Sequence, residues 1–387
     1  MPSDRTIEET AEALPLVDHH VHGAFTADLT RPEFELAITE SDRLGPPGCT
    51  SFDSPVGFAV RRWCAPLLDL EPHASADDYL DRRHALGAAE VNRRLLGASG
   101  VDRFLVDTGI GAGAVLDVEG MRAASGRRAD EIVRLEPLAE ELAAAGVGAA
   151  EFPRRLRETL AERTAATVGT KSVVAYRYGL DFDPEPPTDA EVVAAAGGWL
   201  RSLDGGEGAP RVTDPVLLRA LVWAGVDRGL PVQFHAGFGD PDLELHRCDP
   251  LHLTRFLHLT AERGVPILLL HNYPFHRHAG YLAAVFPHVW FDIGLGVPYT
   301  GARASAVIAE SLELAPFGKV LFSSDAWGPA ELHHLGALLW RRGMANVLRG
   351  FVDAGEWSEA DAVRVLTMIG GDNARRVYGL TEDYRHQ

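Results

Sequence analysis

Short apolar runs recur along most of the chain, and helix-like segments separate them. Apolar runs of this length, bounded by glycine or polar residues, are typical of strands buried on both faces of a parallel sheet. The chain contains eight of them, at 16–22, 103–109, 131–136, 171–177, 231–235, 266–271, 289–293 and 319–325. Eight strands that alternate with helices predict an α/β fold, specifically a (β/α)8 TIM barrel. A doubly wound open sheet is the competing fold, but no glycine-rich phosphate loop follows the first strand.

Residues 23–100 interrupt this alternation between the first and second strands. They contain a Gly-Pro-Pro-Gly loop signal at 45–48 and two helix-like segments, at 55–70 and 77–98. Because this interval is too long for a simple connection, we expect a helical insertion that acts as a lid over the site. Helices over 358–378 are expected to close the barrel, so residues 1–387 are predicted to form a single barrel domain.

Composition and charge narrow the classes of partner. The chain has 387 residues, of which 46% are hydrophobic, so a large buried core is expected. The net charge of −18 argues against binding to nucleic acid or to an anionic membrane surface and says nothing more specific about the substrate. A small molecule is the expected substrate. No apolar run approaches the ~20 residues that span a bilayer. A homodimer stays open, because barrel enzymes of this size often form dimers but no stretch identifies an interface.

Targeting and cysteine signals indicate a cytoplasmic location. The N-terminal residues 1–9 include acidic side chains and lack an apolar stretch, so a signal peptide is not expected. The three cysteines lie at scattered positions and form neither a disulfide framework nor a metal-ligand spacing. A reducing compartment is therefore the expected environment.

Histidines and carboxylates collect at the ends of the predicted strands, where a barrel places its chemistry. His20 and His22 are two positions apart on the first strand and project to one face, which makes a chelating pair for a divalent metal. Further candidates at the strand ends are Glu136, His235, His271 and Asp325, and Lys171 lies nearer the start of the fourth strand. Each one alone also fits a core, capping or ion-pair role. Their joint occurrence at equivalent strand ends predicts a metal centre.

The sequence around these residues resembles the amidohydrolase superfamily, and within it the amidohydrolase-2 group of metal-dependent barrel proteins. The matching motifs are Asp-His-His-Val-His-Gly at 18–23, Phe-His-Ala-Gly at 234–237, Leu-His-Asn-Tyr-Pro at 270–274, Ser-Ser-Asp-Ala at 323–326 and the segment 373–380. The resemblance covers roughly residues 15–380. Its motifs are specific for the superfamily but give little information about the substrate.

The resemblance implies a role for each matching residue. His20 and His22 would be the metal ligands of the first strand and His235 the ligand of the fifth. His271 would be a ligand of a second metal or a catalytic histidine. Asp325 would bind metal and act as the general base on the metal-bound water.

The number of metal ions depends, by the same resemblance, on a bridging anion. Relatives use either a carboxylated lysine on strand four or a glutamate on strand three, and this chain offers Lys171 and Glu136. Glu136 is preferred because it ends its predicted strand, whereas Lys171 comes early in its own. The expected cofactor is one or two divalent ions, either zinc, iron or manganese, and two ions are favoured.

Four residues after strand ends are predicted to bind the substrate: Tyr176, Arg177, His276 and Trp327. The leading functional hypothesis is a metal-dependent hydrolase acting on an amide, ester or related acyl bond. The alternative is a non-haem di-iron oxygenase for a bulky hydrophobic substrate, since histidine and carboxylate ligands also suit iron. A further alternative is a metal-dependent non-oxidative decarboxylase with His271 as acid and base.

Overall fold

A seven-stranded parallel sheet forms the centre of the computed structural model, which describes residues 6–203 and 208–380. Strands that are consecutive in the sequence pair with each other, and all six pairs are parallel. The strands are β1 Leu16–Val21, β2 Val101–Asp107, β3 Arg128–Arg134, β4 Gly169–Ser172, β5 Val232–Ala236, β6 Ile267–His271 and β7 Val289–Phe291. The α/β class and the parallel, curled sheet predicted from the sequence are therefore confirmed.

The predicted eighth strand, 319–325, is not a regular strand. Val320 forms an isolated parallel bridge with Phe291 of β7. On its other side the backbone N–H of His19 donates to the carbonyl oxygen of Phe322 at 3.2 Å. The segment therefore lies between the two edge strands of the curled sheet and is hydrogen-bonded to both.

A side chain interrupts the backbone ladder at this position. The Asp18 carboxylate accepts hydrogen bonds from the backbone N–H of Ser324 at 2.9 Å and from its hydroxyl at 2.5 Å. Because that N–H is bonded to a side chain, it cannot continue a ladder with β1. Asp325 follows with a φ of +49°, which also lies outside strand geometry.

Helices connect the strands, and their bounds largely follow the predicted alternation. The helices of the described residues are α1 Ile7–Ala13, α2 Arg31–Ala37, α3 Pro55–Ala59, α4 Ala76–Leu86, α5 Ala88–Ala98, α6 Val118–Ser125, α7 Glu136–Ala144, α8 Phe152–Arg163, α9 Val174–Arg177, α10 Asp189–Leu203, α11 Pro215–Asp227, α12 Thr254–Thr260, α13 His276–Val285, α14 Gly296–Thr300, α15 Ala304–Ser311, α16 Ala330–Asp353, α17 Glu359–Thr367 and α18 Asn373–Val377. No helix in the part of the chain that the structure describes is long and apolar enough to cross a membrane.

Four helices, α2 to α5, lie between β1 and β2, where the insertion was predicted. The predicted helix 77–98 is divided, because Gly87 has a φ of +78° and separates α4 from α5. Helix α4 of this segment is tied to α16 by a buried cluster in which Glu331 accepts hydrogen bonds from Tyr79 at 2.8 Å and Arg83 at 2.9 Å. The assignment of the segment as an insertion that acts as a lid stays a prediction.

Apolar side chains fill the inside of the curled sheet and the layer between sheet and helices. The inner cluster consists of Val17, Leu105, Ile132, Leu268, Leu270 and Leu321, together with C-terminal residues that include Ala374 and Tyr378. Strands covered on both faces require apolar residues in consecutive positions, which explains the runs seen in the sequence. The C-terminal helix α18 thereby brings Tyr378 beneath the site.

Candidate metal centre

The geometry of β1 brings consecutive histidines into the interior. The pairing of β1 with β2 shifts register between Asp18 and Val21, so the strict alternation of side chains is lost there. His19 and His20 are both fully buried, as are the other residues of β1. Gly23 then ends the segment at a close backbone approach, because a Cβ atom there would lie 1.9 Å from the carbonyl oxygen of Leu116. Any other residue would displace the loop that follows the histidine pair.

Five of the predicted site residues converge at the carboxyl ends of the strands. The Nε2 atoms of His20 and His22 lie 3.1 Å and 3.7 Å from Oδ1 of Asp325. Nδ1 of His271 lies 3.1 Å from the other carboxylate oxygen of Asp325. Nζ of Lys171 lies 3.1 Å from Nε2 of His20. One ligand atom from each of His20, His22 and Asp325 falls within 4.8 Å of the others, which is close enough to share one metal ion.

Hydrogen bonds fix the orientation of the first two imidazoles. Nδ1 of His20 lies 2.8 Å from Oε1 of Gln233, and Nδ1 of His22 lies 3.1 Å from the backbone carbonyl oxygen of Asp107. A carbonyl oxygen only accepts hydrogen bonds, so both rings carry their proton on Nδ1. Their Nε2 lone pairs therefore face the centre. Histidine ligands of metals are typically oriented in this way, by a hydrogen bond from the ring nitrogen that does not bind the ion.

This arrangement fits a bound cation. Two imidazole lone pairs and the carboxylate of Asp325 face one another over distances of 3.1 Å and 3.7 Å, and acceptors cannot satisfy each other. The ammonium group of Lys171 donates to one of them, His20. Nitrogen and oxygen donors in this combination suit zinc, iron or manganese. The donor set therefore fits the divalent ion expected from the sequence.

His235 adds a further imidazole beside this group. Its ring centroid lies 4.8 Å from that of His271 and 4.4 Å from that of Tyr176. One side of the ring hydrogen-bonds to the backbone of Gly237. Its Nε2 atom is buried and has no hydrogen-bond partner among the described residues. A buried polar atom without a partner is costly, and a bound ion or substrate would satisfy it.

Burial sets the protonation states of the site. It lowers the pKa of His22 to about 4 and holds the pKa values of His20, His235 and His271 well below the ordinary value. These imidazoles are therefore neutral at neutral pH, which is the form that binds metal. Burial also lowers the pKa of Lys171 to about 8, although Asp107 and Asp325 oppose the effect.

A buried network lies beneath the centre and connects its strands. The amide nitrogen of Gln233 donates to the carbonyl oxygen of His19 at 2.9 Å and to the hydroxyl of Tyr378 at 2.7 Å. Nε2 of His19 lies 2.9 Å from the carboxylate of Asp292, which also accepts the backbone N–H of His271. The C-terminal Tyr378 is thus linked through Gln233 to the metal-ligand candidate on β1.

The structure brings Lys171, and not Glu136, into contact with His20, and the preference for Glu136 as the bridging ligand stays a prediction. The third strand ends at Arg134, and Glu136 is the first residue of α7. Its Oε1 accepts hydrogen bonds from the Ser172 hydroxyl at 2.7 Å and the Val173 backbone at 2.8 Å. Lys171 is instead the third residue of the four in β4, because that strand begins two residues earlier than predicted, and its amine reaches His20.

A cavity of about 720 Å³ opens beside the centre and receives three of the four predicted substrate-binding residues, Tyr176, Arg177 and Trp327. His276 does not line this cavity. Its Nε2 lies 2.7 Å from the Glu310 carboxylate, and its ring stacks on that of Tyr273. Sequence reasoning missed several lining residues, namely Glu40, Arg134, Asp240 and Tyr299. Arg134 could have been found, because it ends the predicted third strand once that strand is shifted by two residues.

Comparison with known proteins gives related sequences and structures. Protein fluG of Emericella nidulans is 27% identical over 408 residues, which cover 95% of this chain and 46% of that protein. The chain therefore spans about half the length of this curated relative. A crystal structure from Lactobacillus casei, described as a "putative metal-dependent hydrolase", is 27% identical, with a TM-score of 0.84 over 98% of this chain and 99% of the other.

More distant structures share the fold alone. Uronate isomerase from Thermotoga maritima matches with a TM-score of 0.61 at 11% identity, covering 96% of both chains. Glucuronate isomerase from Caulobacter crescentus matches with a TM-score of 0.60 at 17% identity, covering 100% of this chain and 96% of the other.

The amidohydrolase family model Amidohydro_2 matches residues 110–380, which is more than half of the chain. By this match, and in agreement with the motifs in the sequence, the chain belongs to the amidohydrolase family.

Proposed function

We propose that this protein is a metal-dependent hydrolase that cleaves an amide, ester or related acyl bond of a small organic molecule. The observation that carries the proposal is the convergence of the His20 and His22 lone pairs on the carboxylate of Asp325. Membership of the amidohydrolase family supports it, as does the similarity to a Lactobacillus casei protein described as a metal-dependent hydrolase.

The proposed cofactor is one divalent ion held by His20, His22, His235 and Asp325. A single ion is favoured because, within the described ranges, one group of histidine, cysteine and acidic side chains has suitable spacing. Glu136, the expected bridge to a second ion, directs Oε1 to the Ser172 hydroxyl and the Val173 backbone N–H, and it is not part of the group with metal-ligand spacing found among the described residues. The di-iron oxygenase hypothesis required that second ion and gains no support from this geometry.

The centre divides the chemical work between the ion and the protein side chains. When bound, the ion supplies Lewis acidity to water or to a substrate carbonyl oxygen. Asp325 is the proposed proton acceptor, because one of its oxygens faces His20 while the other lies 3.1 Å from Nδ1 of His271. His271, whose Nδ1 lies beside that carboxylate, is the proposed general acid for the departing group.

The position of the site within the fold agrees with this proposal. Catalytic groups of TIM barrels lie at the carboxyl ends of the strands, and Lys171, His235 and His271 all lie near the ends of their strands. We interpret the sheet and the segment 320–325, which is hydrogen-bonded to both sheet edges, as a closed eight-segment barrel.

Elemental analysis combined with hydrolysis assays tests the proposal. Wild-type protein is expected to contain about one equivalent of zinc, iron or manganese and to hydrolyse members of a panel of amides and esters. His22→Ala should lose metal and activity together, whereas His276→Ala, away from the centre, should keep both. A His22→Ala variant with full metal content would overturn the site. Two irons with an oxygen-sensitive absorption band would instead favour the oxygenase.

A further inference from the structure

One cation of the cavity, Arg134, is held rigidly by a buried carboxylate. Arg134 is the last residue of β3 and pairs in register with Lys171 of β4. Its Nε and Nη2 atoms donate to Asp107 at 3.1 Å and 2.7 Å, and its side chain is 11% exposed. Asp107 is itself buried and also accepts the backbone N–H of Gly109 at 2.9 Å. The plane of the guanidinium group is therefore fixed.

The other edge of this guanidinium group is free for a ligand. Among the described residues none accepts a hydrogen bond from Nη1 of Arg134, and the residue lines the cavity. The other two cavity arginines are placed differently: Arg177 forms an ion pair with Glu140, and Arg211 has a half-exposed side chain paired with Asp242. A fixed arginine with one open edge matches the two oxygens of a carboxylate.

The position of Arg134 is coupled to the metal centre. Asp107 binds Arg134 through its side chain and His22 through its backbone carbonyl oxygen, at 3.1 Å. Lys171, the register neighbour of Arg134, contacts His20. An anionic group bound at Arg134 would thus be held at a set position relative to the ligands proposed for the ion.

Acidic residues elsewhere in the cavity limit the charge that it can accept. Glu40 and Asp240 line the same cavity, together with Glu33, Asp42 and Asp242. Carboxylates at this density repel a phosphorylated or otherwise multiply charged ligand. The cavity therefore favours a molecule with one anionic group over one with several.

We infer that the substrate carries a single carboxylate, and that Arg134 binds it through the open edge of its guanidinium group. This inference rests on the proposed function, because only an enzyme has a substrate. Binding of an anion at Arg134 can nevertheless be measured without turnover. Removing a charge-assisted hydrogen bond of this kind weakens binding by about 10- to 100-fold. Arg134 thereby becomes the residue that selects carboxylates over their neutral amides.

Binding of phenylacetate and phenylacetamide, measured by titration calorimetry on the metal-containing protein, tests the inference. Wild type is expected to bind phenylacetate at least about 10-fold more tightly than phenylacetamide. The double variant Arg134→Gln with Asp107→Asn, which leaves no unpaired buried charge, should lose this preference. Arg177→Gln should retain the preference for phenylacetate. Arg134→Lys should retain part of this preference, because lysine keeps the positive charge but lacks the paired N–H donors of a guanidinium group.

Two results would overturn the inference. Wild-type protein without a preference for the carboxylate would do so, even if a variant fails to fold. A preference that survives in the double variant but disappears in His20→Ala would show that the ion, not Arg134, holds the carboxylate. Failure of the amide and ester panel alongside an Arg134-dependent preference would count against the proposed hydrolysis and leave the anion site standing.

Discussion

The contact between Gln233 and His20 offers a direct test of how the protein prepares its metal centre. The Gln233 side chain is fully buried, and its Oε1 accepts a hydrogen bond from Nδ1 of His20 at 2.8 Å. Its amide nitrogen also donates to the His19 carbonyl oxygen and to the Tyr378 hydroxyl. Gln233→Leu has a similar volume but no amide, so all three contacts are lost while the core stays filled.

The expected effect has two separable parts. Loss of a partner behind a histidine ligand lowers metal affinity by about 10- to 100-fold, or about 1.4–2.7 kcal/mol, because the ring is no longer held in one orientation and tautomer. Each buried polar group left without a partner also costs about 1–3 kcal/mol of folding stability. Gln233→Leu leaves up to three such groups, so its melting temperature should also fall.

Competition with a chromogenic chelator gives the Kd for zinc, and circular dichroism checks that the variant is folded. Tyr378→Phe is the matched control, because it removes the hydroxyl at the far end of the network and leaves the contact between Gln233 and His20 in place. It should lower the melting temperature but weaken zinc binding less than Gln233→Leu does. A folded Gln233→Leu variant with the wild-type Kd would refute the reasoning. Equal losses in both variants would point to general loosening of the core.

Three further substitutions have defined outcomes. Glu136→Gln should keep the wild-type metal content, since its carboxylate contacts Ser172 rather than the centre, and a loss of one equivalent would restore its bridging role. Gly23→Ala should lower both melting temperature and metal content, because its Cβ would lie 1.9 Å from the Leu116 carbonyl oxygen; an unchanged variant would contradict that close approach. Glu331→Gln should lower the melting temperature by weakening hydrogen bonds worth about 1.5–3 kcal/mol each, and thermal denaturation with no shift would show that the insertion is anchored elsewhere.

The local pattern of the chain was sufficient to predict where the main site residues meet. Apolar runs identified the parallel strands, and parallel strands end at one edge of a sheet. Residues at those ends, such as His22, His235 and Asp325, could therefore be expected to lie together without knowledge of any contact. The family resemblance followed from the same positions, since its motifs consist of these strand ends.

Strand boundaries and long-range contacts were decided by the tertiary structure. The third strand ends two residues earlier than predicted, at Arg134 instead of Glu136, and the fourth strand begins two residues earlier and is shorter, which places Lys171 near its carboxyl end. Pairing of neighbouring strands, not local composition, sets these boundaries. Likewise, Gln233 and Tyr378 are 145 residues apart, and only the closing of the C-terminal helix beneath the sheet brings them together. Such contacts depend on register and curvature, which arise from the packing of the whole chain.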